Sequence, residues 1–217
     1  MTRLTPKRSF MSDNVNQRVL VLFAHPSQAR SEVNMPLFND ARSIPGVTAV
    51  DLYGEYPTFN IDIDREQQRL LEHDVVLFQF PLYWYSTPSL LKEWQDLVLE
   101  YGFAYGHDGH ALNDKLFLCA LSAGGQAEAY QTDGYNHFTI RQLLQPLEQM
   151  ANLTGMRYLP PLALFGSRTA KEEQRISRHR SRYKRLLEAL VAGNIDYSIA
   201  ASLPKINQYW PDSQEDC

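Results

Sequence analysis

The sequence of 217 residues is poor in cysteine, lacks a long apolar run and has no strong excess of either charge. Its two cysteines, Cys119 and Cys217, are far apart, which argues against a structural zinc site or a disulfide scaffold. No segment approaches the roughly 20 consecutive apolar residues of a membrane helix, and no apolar signal core opens the chain. The net charge of −4 argues against nucleic acid as a partner. These absences favour a soluble, cytoplasmic protein without a metal centre.

Three common catalytic and nucleotide-binding signatures are also missing. The sequence has no GxGxxG pattern at the start of a helix, no GxxxxGK[ST] loop and no GxSxG elbow. A classical dinucleotide fold, a nucleoside triphosphate site and an α/β-hydrolase nucleophile therefore have no support.

Five short apolar segments predict buried strands, because they are rich in β-branched and aromatic residues. These strands are expected at residues 18–24, 47–52, 75–80, 115–121 and 156–165, the last interrupted by proline. Helical patterns at residues 32–43, 64–73, 88–100, 139–154 and 170–191 lie between and after them. Because parallel strands need helical crossovers, the predicted class is α/β with a doubly wound, five-stranded parallel sheet. The flavodoxin-like strand order 2-1-3-4-5 accounts for five strands in one domain.

The same patterns predict the boundaries of the chain's parts. We expect a disordered N-terminal tail at residues 1–17, one flavodoxin-like domain over 18–193 and a C-terminal extension over 194–217. Within the second helix, Asp64 is the expected N-cap, with Leu70 and Leu71 facing inward.

In such a sheet, ligands bind beyond the carboxyl ends of the strands, so three loops matter. The loop at 25–34 offers an imidazole, hydroxyls and a helix N-terminus, which suit a phosphate. The loop at 81–88 has three adjacent aromatic residues, and the loop at 122–137 has paired glycines that allow close backbone approach. Together they favour a planar, phosphorylated ligand such as a flavin.

Each loop also has a structural interpretation. Ser31 can cap a helix, His25 can be hydrogen-bonded at a strand end, and the aromatic residues can pack on a neighbouring subunit or roof the core. The glycine pair can belong to a flexible loop.

The stretch from Gln79 to Asp96, followed by residues 102–106, resembles the segment after the third strand in the NAD(P)H:quinone oxidoreductase family. The start at residues 24–26 and the paired glycines occur where that family has them. Within it, residues 51–64 and 84–86 look most like the bacterial ancillary proteins of glutathione-regulated potassium efflux systems. The resemblance implies a flavodoxin-like homodimer that binds FMN or FAD and reduces a quinone with NADH or NADPH. It also implies a membrane potassium-efflux transporter as a partner, which would hold the protein at the cytoplasmic face of the inner membrane.

Carried over position by position, the resemblance assigns three groups of flavin contacts. The phosphate side falls to His25, Ser31, Glu32, Val33 and Asn34, the isoalloxazine edge to Pro81, Leu82, Tyr83, Trp84 and Tyr85, and the pyrimidine end to Ser122, Ala123, Gly124 and Gly125. The family usually has two threonines before the glycines, so one side-chain hydroxyl is lost here while the backbone donors remain. Those N–H groups would face the N1 region, where negative charge develops on reduction.

In the animal quinone reductases, a tyrosine and a histidine of this loop are proposed to take up charge and a proton as the hydride arrives. The resemblance makes Tyr130 and His137 the catalytic candidates, although His137 comes one residue late. A plain loop role is the alternative for each residue.

Other functions stay open at the level of the sequence. The protein can be a regulatory flavin-binding subunit of a potassium efflux system, with the cationic segment at 175–185 as a docking surface or simply a solvated helix face. An electron-carrier flavodoxin lacks support, since no strongly acidic face is evident. Azo or nitro compounds are chemically close to quinones, and the sequence does not separate these acceptors.

Overall fold

The computed structural model describes residues 16–210, and its centre is a parallel sheet. The strands are β1 Val19–Phe23, β2 Val47–Asp51, β3 Val75–Pro81, β4 Leu116–Ser122, β5 Arg157–Tyr158 and β6 Leu162–Leu164. Their order is β2-β1-β3-β4-β5, and β6 also pairs with β4. The predicted fold class and strand order are therefore confirmed, with the fifth strand divided in two where Pro160 and Pro161 interrupt it. Residues 1–15 and 211–217, which include most of the predicted tail and the end of the predicted extension, lie outside the described residues.

Helices cover both faces of this sheet and enclose two apolar cores. They are α1 Asn34–Ala41, α2 Leu52–Glu55, α3 Ile63–Glu72, α4 Ser89–Val98, α5 Ile140–Leu143, α6 Gln145–Leu153, α7 Arg175–Val191 and α8 Tyr197–Ser202. Buried residues of α3, α4 and α6 belong to one core, and those of α1, α7 and α8 belong to the other. Within residues 16–210, no helix is both long and apolar enough to cross a bilayer, and no cluster of side chains could hold a metal ion.

The start and the buried face of α3 differ from the prediction. Asp62, rather than Asp64, caps the helix, since its carboxylate accepts a hydrogen bond from the N–H of Arg65 at 3.1 Å. Leu70 is 1% exposed, as predicted, whereas Leu71 is 49% exposed. Successive residues of a helix point about 100° apart, so the narrow face of α3 that meets the core accepts only one of the two leucines.

Two of the predicted helices are shorter or divided. The predicted helix at 139–154 breaks at Leu144 into α5 and α6, because Pro146 lacks the N–H that a continuous helix needs and is accommodated in a first turn. The predicted helix at 170–191 begins only at Arg175, since Gln174 before it has a left-handed backbone with φ 56°. Helical periodicity does not reveal such breaks.

A buried carboxylate joins α3 to the elements on either side of it. Glu66 accepts hydrogen bonds from the hydroxyl of Tyr56 at 2.6 Å, from the indole N–H of Trp94 at 2.9 Å and from Arg69. The guanidinium of Arg69 also donates hydrogen bonds to both carboxylate oxygens of Glu55, at 2.9 and 3.0 Å. Burial, together with the contact to Glu66, raises the pKa of Tyr56, so its hydroxyl stays a donor at neutral pH. This network fixes the α2–α3–α4 side of the molecule.

Candidate functional site

A cleft of about 910 Å³ opens beyond the carboxyl ends of β1, β3, β4 and β6. It lies where strand order reverses between β1 and β3, which is the place that the doubly wound fold offers to a ligand. Every residue that the resemblance assigned to a flavin lines this cleft, apart from Ala123, whose side chain is buried beneath the turn. The structure thus brings the three predicted loops together, while their role as flavin contacts stays a prediction.

The two catalytic candidates lie in different places relative to the cleft. Tyr130 lines the cleft at the end of a short 3₁₀ turn, Ala127–Tyr130. His137 is exposed, is held in a left-handed turn with φ 59° and does not line the cleft. Its backbone N–H donates to the carbonyl of Gly134 at 2.9 Å. Within this single chain, His137 and Tyr130 therefore do not share a site.

Four cleft residues were missed by sequence reasoning. Ser27 and Arg30 belong to the first loop, and Ser167 and Arg168 follow β6. A Cβ on Gly124 would lie 3.5 Å from Nε of Arg168, so this guanidinium flanks the glycine turn. The end of β6 is also a carboxyl end of the sheet, so the rule that selected the other three loops would have found this fourth one. Arg30 and Arg168 give the lining of the cleft two cations, which suit an anionic ligand.

The first residue of α1 is the most deeply placed polar group of the cleft. Asn34 is 2% exposed, and its amide donates to Oγ of Ser122 at 2.7 Å. Its Oδ1 has no hydrogen-bond partner among the described residues, which costs about 1–3 kcal/mol for a buried acceptor. Because a serine hydroxyl can donate or accept, the carboxamide can turn either its oxygen or its amide to a ligand. Asn34 therefore carries an unsatisfied hydrogen-bonding atom at the base of the cleft.

A buried relay holds Asn34 in place from within the core that α1 shares with α7. The amide of Gln79 donates to the backbone carbonyl of Asn34 at 2.7 Å, and the hydroxyl of Tyr183 on α7 donates to Oε1 of Gln79 at 3.0 Å. Gln79 and Tyr183 are fully buried. Burial raises the pKa of Tyr183, which keeps its hydroxyl protonated and able to donate. The start of α1 is thus tied through β3 to α7.

The aromatic residues after β3 form a strained two-residue turn. Tyr83 and Ser86 exchange backbone hydrogen bonds of 3.1 and 3.0 Å, and between them Trp84 and Tyr85 have φ of 48° and 62°. Hairpin turns with two positive φ values favour Asn-Gly, and a residue with a side chain in this region costs about 1–3 kcal/mol. The Trp84 side chain is nevertheless 93% exposed. Such an arrangement is typical of a site that presents aromatic rings to a ligand or partner.

The glycine turn after β4 is closed by Tyr130. A Cβ on Gly125 would lie 3.2 Å from the Tyr130 ring, so any larger residue would push the ring outward by a few tenths of an ångström. The other side of the ring packs on Phe165, with centroids 5.0 Å apart. Burial raises the pKa of Tyr130, so its hydroxyl is protonated at neutral pH and can donate a hydrogen bond. Tyr130 thus lines one wall of the cleft and presents a protonated hydroxyl there.

His25 contributes a neutral imidazole to the opposite wall. Its side chain is buried, and burial lowers its pKa, which favours the uncharged ring at neutral pH. Nδ1 accepts the backbone N–H of Ser27 at 3.1 Å, which leaves the proton on Nε2. His25 is thus hydrogen-bonded at the end of β1, as its structural interpretation requires, and still lines the cleft. Ser31 likewise accepts the N–H of Met35 at 3.1 Å in the first turn of α1.

An open parallel sheet with a cleft at its switch point, a helix start, an aromatic turn and a glycine turn defines a protein of the flavodoxin-like class. A family model for the flavodoxin-like fold matches residues 17–187. The uncharacterized NAD(P)H oxidoreductase YrkL of Bacillus subtilis (strain 168) is 44% identical over 164 residues, which cover 75% of this chain and 94% of that protein. The glutathione-regulated potassium-efflux system ancillary protein KefG of Cronobacter sakazakii (strain ATCC BAA-894) is 41% identical over 176 residues, which cover 81% and 96%.

Solved structures agree with this assignment. General stress protein 14 of Treponema denticola, in complex with FMN, superposes with a TM-score of 0.75 at 35% identity and covers 80% of this chain and 99% of its own. An NADPH-quinone reductase from P. pentosaceus superposes with a TM-score of 0.71 at 34% identity and covers 82% and 99%. The chain belongs to the flavodoxin-like NAD(P)H oxidoreductase family. The resemblance inferred from the sequence is confirmed at this level.

Proposed function

We propose that this chain is a flavin-dependent NAD(P)H:quinone oxidoreductase that binds FMN, with FAD as the alternative flavin. The observation that carries the proposal is the buried carboxamide of Asn34, which lacks a partner for Oδ1 at the base of a cleft between an aromatic turn and a glycine turn. Similarity to the FMN complex from T. denticola and to the NADPH-quinone reductase from P. pentosaceus supports it.

The cleft residues fit the chemical parts of a flavin mononucleotide. The start of α1 and the cations of Arg30 and Arg168 suit a phosphate. The free hydrogen-bonding position of Asn34 suits the phosphate or the ribityl hydroxyls, since it can act as donor or acceptor. The rings after β3 suit a flat ring system, and the small residues Gly124 and Gly125 let the backbone approach it closely.

The bound flavin would accept a hydride from NADH or NADPH and deliver two electrons to the acceptor. The residues of this chain would bind the flavin, orient it and polarise it. The N–H groups of the glycine turn favour negative charge beside them, and the protonated hydroxyl of Tyr130 offers a hydrogen bond to the same region. Trp84 supplies an exposed ring for stacking by the nicotinamide and then the quinone, which would share one hollow.

A second copy of the chain would complete this hollow. The loop after β4 is joined to the aromatic turn by the hydroxyl of Tyr85, which donates to the carboxamide of Asn136 at 3.1 Å. Next to this contact, Trp84 is 93% and Tyr135 88% exposed, and Phe138 is exposed as well. Large exposed rings grouped on two joined loops favour a homodimer at the mouth of the cleft. His137 lies on the same loop, among these exposed rings.

The similarity to KefG supports a potassium-efflux transporter as a partner and a cytoplasmic place at the inner membrane. The cationic segment 175–185 supplies little support for docking, because several of its cations have partners inside the chain. Arg180 and Lys184 bind Asp40 at 2.7 and 3.1 Å. Arg175 donates to the carbonyls of residues 165 and 166. The transporter proposal therefore depends on the similarity alone.

Anaerobic spectroscopy of the purified protein tests the proposed function. We expect a yellow protein whose visible absorbance bleaches on addition of NADH or NADPH and returns when a simple quinone is added. Extraction of the flavin then separates FMN from FAD. A protein that binds flavin and does not bleach would favour the regulatory alternative, and a protein that takes up neither FMN nor FAD would contradict the proposal.

The strained aromatic turn gives a prediction of opposite effects on stability and binding. Replacing Trp84 by asparagine and Tyr85 by glycine should raise the free energy of unfolding by roughly 1–2 kcal/mol, because Asn-Gly adopts two positive φ values with little strain. The same change removes two rings of the cleft and should weaken FMN binding by about tenfold. Urea denaturation and fluorescence titration of the flavin-free protein measure the two effects.

The single variant Trp84→Phe is the control for that prediction, since it keeps a ring and the backbone strain. It should leave the free energy of unfolding within about 0.5 kcal/mol of the parent. A double variant less stable than Trp84→Phe would contradict the assignment of strain to this turn.

A further inference from the structure

The segment after α7 closes the open edge of the sheet with a side chain. Asn207 is buried, and its carboxamide pairs with the backbone of Ala163 in the middle of β6. The N–H of Ala163 donates to Oδ1 of Asn207 at 2.9 Å, and Nδ2 of Asn207 donates to the carbonyl of Ala163 at 2.9 Å. A carboxamide offers one acceptor and one donor side by side, as a peptide group of a neighbouring strand does. Asn207 thus satisfies the edge of β6 in place of a further strand.

The same segment is anchored at two further places, both before Asn207. Before it, the guanidinium of Arg141 on α5 donates to the carbonyls of Ala201 and Leu203 at 3.1 and 3.2 Å. Next to it, the N–H of Ile206 donates to the carbonyl of Pro161 at 3.0 Å, and the Ile206 side chain is fully buried. We call residues 197–207 the C-terminal clamp. It lies beyond residues 17–187, which the family model matches.

β6 and the residues after it connect the C-terminal clamp to the cleft through backbone hydrogen bonds. The N–H of Ala123 donates to the carbonyl of Leu164 at 2.8 Å, the N–H of Gly166 donates to the carbonyl of Gly125 at 2.7 Å, and the N–H of Ser167 donates to the carbonyl of Ala123 at 3.0 Å. These three bonds fasten the glycine turn to the end of β6. The N–H of Leu82 holds Ser122 from the β3 side at 2.8 Å, whereas the residues after Ser122 are held by the end of β6, whose other edge is held by Asn207.

We propose that Asn207 is a positioning residue for the ligand cleft, because it fixes β6 and, through β6, the glycine turn at 122–125. Without the carboxamide, the N–H and the carbonyl of Ala163 are left buried and unpaired, which favours a displacement of β6 toward water. The glycine turn is then displaced from the position in which it would contact the ligand. The part of the proposal that concerns flavin binding rests on the proposed function, whereas the part that concerns the glycine turn does not.

The variant Asn207→Leu tests the proposal in the full-length chain, with Gln208→Leu as a matched control. Gln208 is the next residue, is exposed and likewise exchanges a carboxamide side chain for that of leucine. We expect Asn207→Leu to raise the FMN dissociation constant of the flavin-free protein about tenfold and to shift the visible spectrum of bound FMN, while Gln208→Leu changes neither. Hydrogen exchange should accelerate at the amides of Ala123 and Gly166 and stay slow in β1.

The exchange measurement separates positioning from a general loss of stability. Acceleration throughout the sheet, β1 included, would overturn the proposal, as would FMN affinity and exchange equal to those of Gln208→Leu. If the parent protein binds no flavin at all, the proposed function fails, and exchange at Ala123 and Gly166 alone decides whether the clamp controls the glycine turn.

Discussion

Replacing Glu66 by leucine is expected to lower the free energy of unfolding by about 3–5 kcal/mol, one of the two largest effects foreseen for this chain. Glu66 is fully buried and accepts hydrogen bonds from Tyr56, Arg69 and Trp94. The leucine leaves a buried hydroxyl and an indole N–H without an acceptor and removes one of the two carboxylates that neutralise Arg69. Urea denaturation followed by far-ultraviolet circular dichroism measures the loss.

Glu72→Leu is the matched control for this variant, because Glu72 lies on the same helix at an exposed position. Its side chain accepts one exposed hydrogen bond, from Gln68 at 2.8 Å. The expected change is within about 0.5 kcal/mol. Equal losses for the two variants would show that the buried network adds nothing beyond the helix propensity of the residues.

The second large effect concerns Gln79, which joins the cleft to α7. Gln79→Leu removes the donor to the carbonyl of Asn34 and the acceptor for the hydroxyl of Tyr183. Two buried polar groups lose their partners, at about 1–3 kcal/mol each, so the free energy of unfolding should fall by roughly 2–5 kcal/mol. Since Asn34 starts α1 and carries the free hydrogen-bonding position of the cleft, FMN affinity should fall as well, by about tenfold to a hundredfold.

A double-mutant cycle with Tyr183→Phe checks the origin of that loss. In the Gln79→Leu background, removing the Tyr183 hydroxyl removes one of the orphaned groups, so the double variant should be less destabilised than the sum of the single variants. Tyr183→Phe alone should weaken FMN binding less than Gln79→Leu, because the contact of Gln79 with Asn34 persists. Strict additivity of the two stability losses would contradict a coupled relay.

Sequence patterns predicted the sheet because each strand could be recognised without knowledge of its neighbours. The residues of β1 and β3 are all buried, as their continuous apolar runs require. The helical crossovers predicted a parallel sheet, and five strands in one domain favoured the flavodoxin-like order. The cleft followed in turn, since it must lie at the carboxyl ends of the strands. Arg168 was missed only because the rule was not applied to the last strand.

Features that depend on a single turn or on distant partners were not predictable in this way. Asp62 replaced Asp64 as the cap of α3, and Gln174 delayed the start of α7, because both depend on local backbone angles that periodicity does not encode. The left-handed backbone of Trp84 and Tyr85 contradicts the usual preference of these residue types. His137 was assigned to the site by its place in the loop, and the structure sets it outside the cleft.

By itself, the sequence determined the α/β class, the strand order and the three loops that meet at the cleft, because apolar periodicity and loop composition are local properties of the chain. Only the tertiary structure decided that Gln79 joins Asn34 to Tyr183, that Glu66 is the centre of a buried network and that Asn207 pairs with β6. Asn207 and its partner Ala163 are 44 residues apart, and Gln79 and Tyr183 are 104 residues apart. A polar side chain has no periodicity that reveals such a partner, so the pairing emerges only when the packed core excludes water from both groups.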